Sequence, residues 1–193
     1  MLIASSDGKK RCFGGGPKQA LYAAYHDEEW GKPLHEDQRL FEMLILEGTQ
    51  AGLTWESVLK KRSAYHQAFY QFNPVKIARM SEQELEKQRN NPQLIRNKLK
   101  IYSIRKNARV FLEIQKEFKS FDHYLWRFVQ GQPRKNHWQT PNEVPSATPE
   151  SLALAKDLRS RGMNFVGPTI CYAYMQAVGL VNDHLQDCWC YKA

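Results

Sequence analysis

Two cysteines and two histidines with metal-binding chemistry stand at opposite ends of the chain, Cys12 and His26 near its start and His184 and Cys188 near its close. The i, i+4 spacing of the second pair puts both side chains on one face of a short helix. Two thiolates and two imidazoles would close a tetrahedral zinc site whose ligands cancel the charge of the ion and leave no open position for water. The long interval between the halves keeps another reading open, free buried thiols with surface histidines, and Cys190 is an alternative to Cys188. His35, His66, His123 and His137 have no comparable partner and are expected at the surface. The densest chemical stretch runs from Leu21 to Trp55, with Tyr22 and Tyr25 on one helical face, Trp30, and Glu47 directly after the apolar run Met43–Leu44–Ile45–Leu46. A carboxylate in that place is buried at a cost unless hydrogen bonds or a cation compensate, so its partner could be a ligand. The plainer alternative is a solvated helix-end carboxylate beside ordinary core aromatics.

The elements that hold these residues are helical. Apolar residues recur at helical spacing throughout, and no stretch alternates as a strand between hairpin turns. Helices are predicted over about 38–46, 55–72, 82–89, 92–118 with a break, and 121–129, and Ser81 with Glu84 forms a capping box. Residues 131–147, rich in Pro, Asn, Gln and Thr, make the one long connection. Thr148 then caps a helix with Pro149 in its first turn, Gly162 stops it, and a second helix runs from Pro168 to Val178. Such a helix–turn–helix offers backbone N–H groups to a phosphate and is blind to base identity, although packed helix pairs are common in any α protein.

Length and composition bound the possibilities. A chain of 193 residues with 42% apolar and 25% charged side chains suits one folded domain with a core of its own, which excludes a multidomain machine or a disordered polymer. Lys and Arg number 28 against 20 Asp and Glu, a net charge of +8 that favours a polyanion such as nucleic acid. The cations cluster at 60–62, 96–109 and 156–161. The longest charge-free stretch, Phe165 to Val181, is too short and too interrupted by Gly and Pro to span a bilayer, so no membrane association is expected. Residues 1–10 lack the apolar block of a secretory signal, which points to the cytoplasm and to reduced cysteines.

Taken together, the segments 21–31, 46–55 and 165–188 resemble the bacterial 3-methyladenine DNA glycosylase I family, with the order of motifs kept over essentially residues 11–191. The resemblance implies an all-α helix-hairpin-helix glycosylase whose ends are clipped together by one structural zinc ion, held by Cys12, His26, His184 and Cys188. It implies a base pocket of Tyr22, Tyr25, Glu47 and Trp55, with Glu47, Tyr25 and Tyr22 closest to the chemistry. Gly162, Asn164, Gly167 and Thr169 of the hairpin would hold the DNA backbone, and Gly52–Leu53 would press into the gap left by the extruded nucleotide. The partner implied is double-stranded DNA carrying alkylated adenine, bound by a monomer of one domain over 11–193. Residues 1–10 form an extension whose order the sequence leaves open.

Two positions depart from what is usual in such enzymes. The family commonly has a Trp two residues after the first zinc Cys, where this chain has Cys12–Phe13–Gly14–Gly15–Gly16–Pro17; either Phe13 supplies that wall of the pocket or the glycine-rich loop leaves it wider. Many related enzymes place an Asp shortly after the hairpin, where Asn182 stands here, and Asp183 reads as a residue supporting the zinc ligand beside it. No Lys stands out as a Schiff-base nucleophile, so a monofunctional enzyme is expected. Two other classes remain in view at this point, a non-catalytic zinc-clipped DNA-binding module and a zinc-dependent hydrolase, the latter requiring an open metal position.

Overall fold

Helix α2, Asp37–Gln50, runs through the middle of the molecule and buries ten consecutive residues from Leu40 to Thr49. Its apolar residues go all the way round rather than along one stripe, the pattern of a helix enclosed on every side. The computed structural model describes the backbone of residues 3–4 and all of residues 7–191. Around α2 pack α3 (Trp55–Leu59), α7 (Lys98–Phe118), α8 (Phe121–Trp126) and α10 (Pro168–Ala177). Helix α1 (Ala20–Glu28) lies against α3, α9 (Pro149–Ser160) packs on α10, and α4 (Arg62–Ala68), α5 (Pro74–Ala78) and α6 (Glu82–Arg89) complete the side next to α7.

The predicted helices appear, with differences at their ends that have local causes. The span 55–72 is three pieces, because the chain breaks at Lys60–Lys61 and then turns through positive φ at Tyr70, Gln71 and Phe72. Lys61 reaches the carbonyls of Pro92 and Gln93, and Arg62 turns inward to two carboxylates, contacts that an uninterrupted helix would not align. Asn73 then caps the short α5, its side chain accepting from Lys76 N at 3.0 Å, a helix the sequence reading did not contain. Residues 92–97 of the span expected to be helical over 92–118 are turn and irregular chain, and the helix begins after Asn97, whose side chain accepts from Lys100 N and starts α7. Thr148 and Ser151 form the capping box of α9, with Pro149 in the first turn.

Four two-residue strands occur among the described residues, where none was expected. β1 (Ile3–Ala4) pairs antiparallel with β2 (Lys10–Arg11), and β3 (Arg134–Lys135) in the long connection pairs parallel with β4 (Val181–Asn182) after α10. Of the extension 1–10, residues 1–2 and 5–6 lie outside the described residues. No helix among the described residues is long and apolar enough to cross a membrane.

Asp37 fixes where α2 begins. One carboxylate oxygen accepts from Phe121 N at 2.8 Å and the other from Asp122 N at 2.8 Å, so the side chain also satisfies the free amides that open α8, while Gln115 adds a third donor. Asp37→Ala is expected to lower stability by about 2 kcal/mol, since the amides of α8 lose their acceptor, and chemical denaturation at pH 7 measures it.

Candidate active site

Helix α1 divides its faces between two jobs. Tyr22 and Tyr25 are three residues apart on α1, which lies against α3, while Ala20, Ala23, Ala24 and Asp27 line a surface depression together with Arg11 and the glycine-rich loop. That depression contains none of the predicted pocket residues, so the site is defined by chemistry rather than by volume. Tyr25 is buried and its ring lies 5.3 Å from that of Trp55, the first residue of α3, which Thr54 caps by accepting from Ser57 N.

Glu47 is close enough for its charge to act on both tyrosines. It is 4% exposed, and its Oε2 has no hydrogen-bond partner; the Nε1 of Trp55 is likewise buried without one. Few buried polar atoms in a folded protein go unpaired, and an orphaned acceptor and an orphaned donor at one aromatic site are what a pocket for a polar, flat ligand requires. Desolvation pushes the Glu47 carboxyl up to about 8, so below that pH the free protein holds it protonated. Burial, with the nearby Glu47 charge adding to it, also pushes the Tyr22 phenol up to about 12 and the Tyr25 phenol well above its ordinary value, so both keep their protons as donors.

A polar clamp beneath the pocket sets the distance between its walls. Arg62 of α4 donates to both carboxylate oxygens of Glu29 at 2.8 and 2.9 Å and to Glu42 of α2 at 2.6 Å. Glu42 is buried and also meets His66 Nε2 at 2.8 Å, which places His66 half inside rather than at the surface as expected. Bidentate guanidinium–carboxylate pairing is stiff, so the end of α1 is tied through Arg62 to α2 at Glu42, five residues before Glu47. The cations at 60–62 are therefore occupied within the protein, Lys60 with Glu56 and Arg62 as described.

Phe13 stacks on Tyr22 with ring centroids 4.6 Å apart and meets Trp30 edge-on at 5.0 Å. Of the two outcomes open for the Cys12–Pro17 loop, the ring of Phe13 covers Tyr22. Gly14 makes that possible: its φ is +78°, and a Cβ there would lie 2.8 Å from the backbone N of Ala23.

The four end residues converge. Ligand atoms of Cys12, His26, His184 and Cys188 all lie within 4.8 Å of one another. Cys188 Sγ is 3.4 Å from His26 Nε2 and 3.5 Å from His184 Nδ1, and Cys12 Sγ is 3.8 Å from His184 Nδ1. Zinc bonds of about 2.0–2.3 Å at tetrahedral angles require ligand edges of this size. The outward nitrogens are engaged: His26 Nδ1 is 2.8 Å from Asp27 Oδ1 and His184 Nε2 is 3.1 Å from the Trp30 carbonyl, which as donors leave the inward nitrogens as the electron-pair donors, that of His26 accepting from the Cys12 amide at 3.3 Å. Arg11 holds Asp27 in turn and keeps its carboxyl well below the ordinary range. The donor set thus fits a structural dication. Cys190 reaches only the outer side of His26, with Sγ 4.0 Å from Nδ1, so Cys188 is the one that faces the cluster.

Asp183 is saturated. It accepts from Asn136 Nδ2, Trp138 Nε1, the Tyr172 hydroxyl and Gln176 Nε2 at 2.6–2.7 Å, which ties the long connection to α10 and leaves no lone pair aimed at a substrate. The Gly52–Leu53 turn projects from the end of α2, exposed at both residues. In the hairpin between α9 and α10, Asn164 and Thr169 are exposed and Gly162 has φ +99°. Lys106, Lys156 and Arg159 near it are exposed and form no ion pair among the described residues, whereas Arg161 pairs with Glu117 and Asp157. Arg62 and Lys100 entered the sequence reasoning only within the cation clusters 60–62 and 96–109, read as a charge for a polyanion rather than as internal anchors, and Asn107 did not enter it.

The helical fold that carries these residues is shared with solved DNA glycosylases. A structure of 3-methyladenine DNA glycosylase I aligns with a TM-score of 0.88 and 48% identity over 90% of this chain and 96% of that one. A variant of 3-methyladenine DNA glycosylase I solved in complex with 3-methyladenine aligns with a TM-score of 0.89 and 34% identity, covering 92% and 96%. DNA-3-methyladenine glycosylase 1 of Escherichia coli (strain K12) is 47% identical over 182 residues, 94% of this chain and 97% of the relative. The family described as methyladenine glycosylase matches residues 16–191, and the chain belongs to it.

The raised Glu47 carboxyl makes a statement about stability. The unfolded side chain ionises near its ordinary 4.5, the folded one only near 8, so folding costs more as pH rises through that interval. Glu47→Gln removes the cost. Its melting temperature should match that of the parent at pH 5 and exceed it increasingly towards pH 8, by the equivalent of a few kcal/mol; a difference constant with pH, in paired thermal melts, would contradict the burial of an ionisable group here.

Proposed function

We propose that the chain is a monofunctional DNA glycosylase that extrudes 3-methyladenine from alkylated double-stranded DNA and hydrolyses its N-glycosidic bond, the first step of base excision repair. The observation that carries this reading is the pair of unpartnered buried atoms, Glu47 Oε2 and Trp55 Nε1, with Trp55 beside the ring of Tyr25 and the charge of Glu47 felt at Tyr22 and Tyr25. It is supported by membership of the family and by the 3-methyladenine bound in a relative of the same fold.

A base inside a duplex is out of reach, so the damaged nucleotide is rotated out at a cost of about a few kcal/mol, least where methylation has weakened pairing. In DNA, 3-methyladenine carries a delocalised positive charge. Aromatic faces attract it by stacking, roughly 1–3 kcal/mol per base, and by cation–π interaction of up to about 2 kcal/mol when desolvated, of which ordinary adenine receives only the first. The same charge favours the ionised form of Glu47, so the arriving base displaces the proton that the empty pocket holds, and the carboxylate accepts from the polar edge of the purine. Because the leaving group is already cationic, no general acid is needed. The bond breaks towards an oxocarbenium-like sugar, and water attacks from the open face. Asn182, which accepts from His184 N, and the saturated Asp183 supply no base for that water, in keeping with selection doing more than activation.

The hairpin at Gly162, Asn164, Gly167 and Thr169 is read as the helix-hairpin-helix grip on the DNA backbone, and Gly52–Leu53 as the wedge. Cys12, His26, His184 and Cys188 would hold one zinc ion, which when bound ties the two ends of the chain together. The enzyme is read as a monomer acting in the bacterial cytoplasm.

Incubating the protein with methylated duplex and identifying the released base by mass tests the reading. The parent should free 3-methyladenine without cutting the strand, and Glu47→Gln should release it at least a hundredfold more slowly; equal rates would remove Glu47 from the mechanism. Elemental analysis should find one zinc per chain, and Cys188→Ser should lose it together with thermal stability.

A further inference from the structure

We propose that Lys100 and Asn107 are positioning residues that, from one face of α7, hold the Gly52–Leu53 turn and the 162–167 hairpin at a fixed separation so that the two act as a rigid jaw on the duplex. The inference rests on the reading of the chain as a duplex-opening glycosylase. The two residues are seven apart, two helical turns, and so share a side of the helix. Lys100 Nζ donates to the carbonyls of Thr49 at 2.8 Å and Ala51 at 2.6 Å, where α2 ends and the exposed turn begins. Those carbonyls have no donor within the helix, and the ammonium meets the negative end of its dipole. Asn107 engages the hairpin backbone twice, donating Nδ2 to the Asn164 carbonyl at 2.9 Å and accepting from the Asn164 amide at 2.9 Å.

Between the two anchors α2 touches the hairpin directly. A Cβ on Gly48 would sit 3.2 Å from both Cβ and O of Phe165, a residue the hairpin holds at φ +57°. Both anchors are buried, Lys100 at 6% and Asn107 at 3% exposure. An ammonium whose acceptors there are neutral carbonyls is costly to bury, and an apolar side chain would serve if packing were the only demand. Rigidity supplies a reason. A wedge that pries a nucleotide from the stack must push against something, and the phosphates held at the hairpin are the reaction point. A loose connection between the two would spend binding energy on bending the protein instead of opening the duplex.

The test compares Lys100→Met and Asn107→Ala on a lesion within paired duplex and on the same lesion in a three-nucleotide bubble, alongside binding of free 3-methyladenine followed by tryptophan fluorescence. Each variant should lose tenfold or more in single-turnover excision from the paired substrate, less than threefold from the bubble, and less than twofold in affinity for the free base. Lys100→Arg should recover to within threefold of the parent, and the double variant should lose no more than the worse single one, as for members of one unit. Unchanged excision from paired duplex overturns the proposal, and so does a loss shared equally by paired, bubble and free-base measurements, which would mark a merely structural role. If a variant does not fold, Asn107→Asp keeps the volume and the acceptor while losing the donor, and is judged by the same outcomes. A parent that frees no base from either substrate would instead refute the glycosylase reading itself.

Discussion

An acid kept out of water without an internal cation is the constraint on which the site depends. Glu47 sits on a helix enclosed on all sides and, among the described residues, has no ion-pair partner; the guanidinium of the clamp is committed to Glu29 and Glu42. The fold tolerates Glu47 by keeping it protonated below about pH 8, and its ionised form is left without compensation. The surrounding rings fit the same need, since they tolerate a flat cation and exclude the water that would otherwise screen the carboxylate.

The rest of the molecule can be seen as the means of keeping that carboxyl in place. Asp37 fixes the start of α2, Lys100 its end, and Arg62 its distance from α1. Three charged side chains therefore locate one helix along its length, while its apolar surface supplies most of the attraction. The division is physically sensible, because hydrophobic packing is strong but nearly indifferent to a slide or a rotation, and hydrogen-bonded charges are directional.

Much of this was legible in the sequence, for reasons that differ by element. α6 was found at its observed limits because Ser81 and Glu84 announce its start, and α9 because Thr148–Pro149 and Gly162 bracket it. Glu47 stood out by its place after four apolar residues. What was hidden depends on long-range pairing. The breaks that split 55–72 follow from where Lys61 and Arg62 must reach, the strands β3 and β4 from a docking of segments 47 residues apart, and the half-burial of His66 from Glu42. No local signal distinguishes Asn107 from a solvated asparagine; only its meeting with Asn164 does.

The cluster of Cys12, His26, His184 and Cys188 has neighbours that extend its reach. Phe13 follows Cys12 in the chain, Tyr25 precedes His26, and Trp30 packs edge-on to His184 at 4.7 Å. The four-residue cluster is thus next in the chain to two of the aromatic rings, Phe13 and Tyr25. Any displacement of Cys12 or His26 is therefore passed through a single peptide link to the rings of Phe13 and Tyr25.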